Sequence, residues 1–194
     1  MCFYYSYFLF LSRDLVWTVS NAFGWKQPSG TEITELHRLL LGQYLSGSFG
    51  SEETMELDVQ SITPELQQLL TPIMIQAGSA YNQKYAYLRC ERTQQIMNKF
   101  STIRFNRYGG GQIMRQHHDH IHSLFDGNEK GIPVLSFILN LNDDYEGADL
   151  FFWENHVVPL GKGDIIMFPS LFLFPHGVTE AKSGKRYSAV SWAW

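Results

Sequence analysis

The sequence predicts an α+β domain, with helices from the front half bracing a β-sandwich or jelly roll formed by the back half. Three observations lead there. Apolar residues of the front half fall at helical spacing. After about Arg89 the pattern changes to short β-branched and aromatic runs separated by Gly, Asn and Asp turns. The back half leaves no room for the crossover helices that a parallel sheet needs.

The opening run MCFYYSYFLFL has no Lys or Arg ahead of it and is much shorter than the roughly 20 residues of a membrane span. It is read as a first strand or buried edge; despite the small residues Ser20 and Ala22, a signal peptide is rejected. Ser12 is placed as the cap of a helix to about Phe23, with Leu15, Val19 and Phe23 on one stripe. Gln27 to Gly30 is a turn. Thr31 is placed as the cap of a second helix carrying Leu36, Leu39, Leu40 and Tyr44, and 47–53 is loop. Thr63-Pro64-Glu65 gives a capping hydroxyl, a first-turn proline and an acid, so a third helix starts there. It carries Leu66, Leu69, Leu70, Ile73 and Met74, ends near Gly78 and packs on a sheet face. Strands are expected at 102–108, 116–122, 134–141, 148–152, 157–159, 164–168 and 186–194.

At 194 residues the chain suits a single domain, with 1–100 as mainly helical support and 101–194 as the β core. It is 44% hydrophobic and 15% aromatic, which excludes disorder. A formal charge of −4 and a pI near 5.9 give no footprint for nucleic acid. Arg104, Arg107 and Arg115 are close in sequence and are read as ordinary surface contacts. Cys2 and Cys90 form neither a disulfide framework nor a metal-type CxxC, which suits a reducing cytoplasm. No membrane association is expected.

The chemistry is concentrated in four residues. His117 and Asp119 flank one residue, His176 follows, and Arg186 stands ten residues beyond it. Two imidazoles and a carboxylate can hold a divalent iron on one face and leave other positions open. An arginine adds a fixed cation for the carboxylate of a co-substrate. The segment 117–122 holds four histidines, and strand alternation sorts them: His117 and Asp119 face one way, His118, His120 and His122 the other. Tyr108-Gly109-Gly110-Gly111 precedes the first pair, and its glycines permit a tight turn. Gly163-Asp164, Pro175-His176-Gly177 and Gly184-Lys185-Arg186 complete a turn, a strand, a histidine after a loop, and an arginine on the last strand.

These motifs in 102–194 resemble the iron(II)- and 2-oxoglutarate-dependent dioxygenases, in the branch of the prolyl 4-hydroxylase catalytic domain. The carriers are the Tyr-Gly start nine residues before the H-x-D histidine, Glu146-Gly147-Ala148, Gly163-Asp164, His176, Arg186 and Trp192. The resemblance implies a double-stranded β-helix (jelly roll) with bracing helices. It implies that His117, Asp119 and His176 ligate Fe(II), that Arg186 and Tyr108 hold the distal carboxylate of 2-oxoglutarate, and that Trp192 lines the pocket. It further implies an oxygenase, and most readily a hydroxylase. Such an enzyme couples decarboxylation of 2-oxoglutarate to succinate with hydroxylation of a C–H bond, taking O2, with ascorbate as a candidate reductant. The substrate, a peptide side chain or a small molecule, is not fixed.

Three positions depart from the family pattern and bear on substrate. Met114 stands in place of a tyrosine, Leu150 in place of a threonine, and Pro133 where spacing places a substrate-facing arginine. Proline as the target is therefore left open. The segment 123–133 is read equally as a lid and as a connector. Two other readings compete: a zinc hydrolase using the same triad, and a metal-free jelly roll for binding or assembly. The first has no need of Arg186, and the second leaves the joint spacing to coincidence.

Overall fold

A computed structural model of the chain describes residues 17–18, 28–46, 52–53, 56–85, 97, 99–119 and 131–194. The elements in chain order are β1 (Trp17–Thr18), α1 (Gly30–Ser46), β2 (Glu52–Glu53), β3 (Asp58–Ser61) and α2 (Pro64–Lys84). They continue with β4 (Arg104–Gly109), β5 (Met114–His117), β6 (Leu135–Asn140), β7 (Glu146–Gly147) and β8 (Leu150–Phe152). The last are β9 (His156–Val157), β10 (Ile165–Pro169), β11 (His176–Val178), β12 (Ala181–Ser183) and β13 (Lys185–Ala193). All strand pairs are antiparallel. They form a seven-stranded sheet, β1-β10-β6-β13-β4-β3-β2, a four-stranded sheet, β5-β11-β8-β9, and the small pair β12-β7. This is the double-stranded β-helix, with two helices among the described residues.

Strand alternation gives the large sheet two apolar faces. Phe105, Phe137, Leu139, Ile165, Met167 and Ala189 lie in one core with Ile33, Leu36, Leu40, Leu66, Leu70 and Met74 of the helices. Ile138, Ile166, Phe168 and Val190 lie in the other, with Leu150, Phe152 and Val178 of the small sheet. Each helix therefore turns one stripe inward, as the apolar spacing requires. In α2, Leu66, Leu70 and Met74 are buried, whereas Leu69 and Ile75 remain exposed.

Several boundaries differ from expectation. The cap of α1 is Ser29: its hydroxyl accepts the Glu32 N–H at 3.2 Å, while the Glu32 carboxylate accepts the Ser29 N–H at 2.7 Å. This reciprocal pair satisfies two orphan donors, and Thr31 falls inside the first turn. Thr63 caps α2 as expected, accepting from the Leu66 N–H at 3.4 Å. That helix runs through Gly78 to Lys84. A Cβ on Gly78 would lie 3.0 Å from the Met97 methyl and 3.5 Å from the Phe137 ring, so the glycine serves close approach to the sheet, not termination.

Trp17–Thr18 pair with Met167 and Ile166 as an edge strand, so the expected helix does not cover them. The rest of that helix, the opening aromatic run, both cysteines and the histidines 120 and 122 lie outside the described residues. The front half also supplies β2 and β3 to the large sheet. β5 spans Met114–His117, earlier than the expected 116–122, and Asp119 lies just beyond its end. β11 and β12 are three residues each, too short to stand out as periodic runs. No helix among the described residues is long and apolar enough to cross a membrane.

Leu70 is fully buried and Leu69 is 52% exposed. Leu70→Ala is expected to cost about 2–5 kcal/mol by the lost transfer energy and the cavity left behind. Leu69→Ala should stay within about 0.5 kcal/mol. Urea unfolding midpoints check the pair, and equal losses would reject this packing of α2.

Candidate metal centre

The two histidines are brought together by register. β11 pairs with β5 so that His176 stands opposite His117, and their ring centroids are 4.4 Å apart. Asp119, just past the end of β5, reaches both: Oδ1 lies 3.6 Å from His117 Nε2, and Oδ2 lies 3.7 Å from His176 Nε2. One donor atom from each residue falls within 4.8 Å of the other two. The glycine after His176 makes this approach possible. A Cβ at Gly177 would sit 2.7 Å from both the Met114 carbonyl oxygen and the Phe151 ring.

The hydrogen bonds around the triad suit a cation. His117 Nδ1 donates to the Arg115 carbonyl at 2.9 Å, and His176 Nδ1 to the Phe174 carbonyl at 3.0 Å. Carbonyls only accept, so each Nδ1 carries a proton, and each Nε2 is left as the atom that faces Asp119 and a metal. The Ser136 hydroxyl donates to Asp119 Oδ2 at 2.6 Å, and Ser170 lies 2.8 Å from Ser136. Donor chemistry and outer partners thus fit a divalent transition metal held on one face.

Without the ion, Asp119 and His176 are held in the forms a metal needs, whereas His117 is made more basic. Burial pushes the Asp119 carboxyl up, but His117, His176 and Ser136 together hold it at about 2. The Trp192 indole N–H, close by but outside hydrogen-bond geometry, helps hold that charge. His117 is less buried than His176. Burial lowers its basicity, but the Asp119 carboxylate and the Arg115 carbonyl outweigh this and raise it. At His176 burial prevails and lowers it. A carboxylate and a neutral buried imidazole are the forms a metal needs.

One cavity of about 210 Å³ takes in the triad together with Tyr108, Met114, Arg186 and Trp192. Sequence reasoning placed all of these at one site except Met114, which it marked as a departure. Arg186 is 1% exposed. Its Nε donates to Asn140 Oδ1 at 3.0 Å and one terminal nitrogen to the Ala148 carbonyl at 3.0 Å. No carboxylate among the described residues pairs with it. A buried guanidinium with only neutral partners is a site awaiting an anion. Tyr108 lies beside it, with the guanidinium carbon 5.8 Å from the ring centre. Burial, opposed by that guanidinium, pushes the Tyr108 hydroxyl up to about 12, so it stays a neutral donor. The hydroxyl meets the Met114 sulfur at 3.7 Å.

Leu150 also lines the cavity, whereas Pro133 is buried away from it. His118 is exposed and is not one of the three clustered donors. Sequence reasoning missed Ser136 and Asn140, which orient Asp119 and Arg186. Their signal was present: both are polar residues at alternate positions of an apolar strand, on the face shared with Ile138. Of the segment 123–133, only 131–133 fall within the described residues.

Residues 103–194 match the family model of the 2OG-Fe(II) oxygenase superfamily. Over 94 residues the chain is 36% identical to a PKHD-type hydroxylase of Rhizorhabdus wittichii, covering 45% of this chain and 40% of that protein. It is 28% identical over 111 residues to prolyl 4-hydroxylase 1 of Arabidopsis thaliana, covering 46% and 39%. The match spans about two-fifths of these relatives' length. In fold, the chain resembles a viral collagen prolyl hydroxylase of Paramecium bursaria Chlorella virus-1, with a TM-score of 0.66 at 18% identity over 92% of this chain and 94% of the other. A Pseudomonas putida prolyl-4-hydroxylase gives 0.64 at 22% identity, over 96% and 97%.

His176→Ala is expected to abolish Fe(II) binding at micromolar metal, while Ser136→Ala weakens it by about 10–100-fold. Calorimetry under argon checks both, and unchanged affinity in a folded His176 variant rejects the ligand set. In the metal-free protein, Asp119 ionises about two pH units below its ordinary value of 3.8. Its contribution to stability is therefore full above about pH 4 and lost as pH falls toward 2. Asp119→Asn should flatten that acid limb in pH-dependent unfolding.

Proposed function

We propose that this chain, whose residues 103–194 match the 2OG-Fe(II) oxygenase family model, is an Fe(II)- and 2-oxoglutarate-dependent hydroxylase of the prolyl 4-hydroxylase-like branch, acting on an aliphatic C–H bond. The observation that carries the proposal is the buried Arg186, without an anionic partner among the described residues, in the same cavity as His117, Asp119 and His176. Bound Fe(II) and 2-oxoglutarate would supply the oxidative chemistry: O2 converts 2-oxoglutarate to succinate and carbon dioxide, and one oxygen atom enters the substrate C–H bond.

The chain's residues have separable tasks in this proposal. His117, Asp119 and His176 hold the metal through two Nε2 atoms and a carboxylate oxygen. Arg186, fixed by Asn140 and the Ala148 carbonyl, receives the distal carboxylate of 2-oxoglutarate without reorganising, and Tyr108 donates a second bond to it. Ile138, Leu150, Val178 and Val190 wall the cavity with apolar surface and keep water from the reacting carbon. Trp192 closes another side. Met114 and Leu150 replace the polar groups that the resemblance places beside a peptidyl proline. The proposal therefore stops at an aliphatic carbon, in a peptide side chain or a small molecule. The cysteine count favours a cytoplasmic setting. A zinc hydrolase would leave the Arg186 site without use.

Anaerobic addition of 2-oxoglutarate to the Fe(II)-loaded protein should produce a weak visible charge-transfer band that is absent in His176→Ala. Arg186→Ala should keep the iron and raise the 2-oxoglutarate requirement by at least about 100-fold. No band, with neither iron nor 2-oxoglutarate binding by calorimetry, would leave a jelly roll that is similar in architecture alone.

A further inference from the structure

Arg104 lines the same cavity, yet the carboxylate clamp at Arg186 does not use it. It stands on β4, two residues before Asn106 and four before Tyr108, so all three share the inward face. Its direct partner on β13 is Val190, which makes Trp192 its diagonal neighbour. Its guanidinium carbon lies 5.0 Å from the Trp192 ring centre. This stacking holds the group in place and leaves its N–H edge free to donate. The residue is exposed, and no carboxylate among the described residues pairs with it. The other two arginines of the group do have acidic neighbours: Arg107 pairs with Asp58, and Arg115 lies 4.0 Å from Glu56. Arg104, the third, is exposed at the cavity and has no such acidic neighbour among the described residues.

Asn106 and Trp192 also line the cavity: Asn106 stands beside the Tyr108 hydroxyl, and the Trp192 indole N–H lies toward Asp119. Charge accounting on the oxygenase reading also isolates Arg104. A divalent metal and Arg186 are balanced by Asp119 and the two carboxylates of 2-oxoglutarate, which leaves Arg104 without a balancing charge among the described cavity-lining residues. At about 210 Å³ the cavity is smaller than the roughly 300–1,000 Å³ of ordinary ligand pockets. A substrate therefore enters by a small aliphatic group, and its charged part stays at the mouth, where Arg104 is.

We infer that Arg104, held against the Trp192 ring, selects an anionic substrate, one that carries a carboxylate or comparable oxyanion a short distance from the carbon presented to the metal. The inference rests on the oxygenase reading and adds the substrate's charge to it. The anion could belong to an acidic peptide or to a free organic acid, and the chemistry of recognition is the same for both.

The test uses the full chain loaded with Fe(II) and saturating 2-oxoglutarate under argon, with the charge-transfer band followed throughout. Two probe pools are applied separately: random peptides of mixed net charge, and small carboxylic acids mixed with the amides of the same carbon skeletons. Ligands retained on filtration are identified by mass spectrometry. The wild-type protein should enrich acidic members of one pool, and which pool responds distinguishes peptide from small acid. Arg104→Gln should lower that enrichment about tenfold or more, and Arg104→Glu should shift retention toward cationic members, with the band intact in both variants. Equal charge distributions for all three proteins, or no retention by the wild type, overturn the inference while the band persists. Absence of the band in the wild type overturns the oxygenase reading itself.

Discussion

A strand buried on both faces must sort its side chains by parity, and β13 does this for the whole molecule. It lies between β6 and β4 at the middle of the large sheet. Tyr187, Ala189 and Ala193 pack with the helix-side core. Arg186, Ser188, Val190 and Trp192 line the cavity. A one-residue slip would carry Arg186 into the helix core and take the clamp out of the site. The helices are thus part of the functional design. By covering one face they oblige the other to take the polar residues, and they fix which residues those are.

The metal centre depends on a second register, between β11 and β5. Neither strand exceeds four residues, so the pairing is held from outside: Gly177 lets β11 fit between its neighbours, and Ser136 of the large sheet, itself bonded to Ser170, anchors Asp119. The three donor groups come from the small sheet and the chain just past its edge, whereas the second cation comes from the large one. The space between the sheets is where a metal chelate and a distant carboxylate can be held by one rigid frame. Asn140 ties this frame together. Its oxygen receives Arg186, and its amide nitrogen donates to the Asn142 carbonyl at 2.7 Å.

The cavity's polarity is unevenly distributed. Its middle is aliphatic, with Ile138, Leu150, Val178 and Val190, and Met114 supplies a sulfur where the resemblance implies a phenol. The polar groups of the lining are Arg186 and Tyr108, the triad, Ser188, and the set of Arg104, Asn106 and Trp192. A pocket arranged this way discriminates by charge at its ends and by shape between them, because a methylene more or less costs little whereas an unpaired buried polar group costs much.

Much of the site was legible in the sequence because its chemistry is written in residue type and spacing. His117, Asp119, His176, Arg186, Tyr108 and Trp192 could be named from one line of letters, and the structure brings them to one cavity. The capped helix at Thr63 and the alternating strands were legible for the same reason, since caps and periodicity are local. Long-range pairing was not. β3, β11 and β12 are too short to show a period, and only their partners make them strands. Ser136 and Asn140 looked like polar interruptions of a core strand until the fold set them against Asp119 and Arg186. Likewise, three neighbouring arginines have different environments because strand parity and cross-strand partners, which no local pattern contains, leave Arg104 at the mouth of the cavity and put Arg107 beside an acid. Sequence alone determined which atoms could do the chemistry; the tertiary structure decided which of them face one another, because register and parity are properties of paired strands.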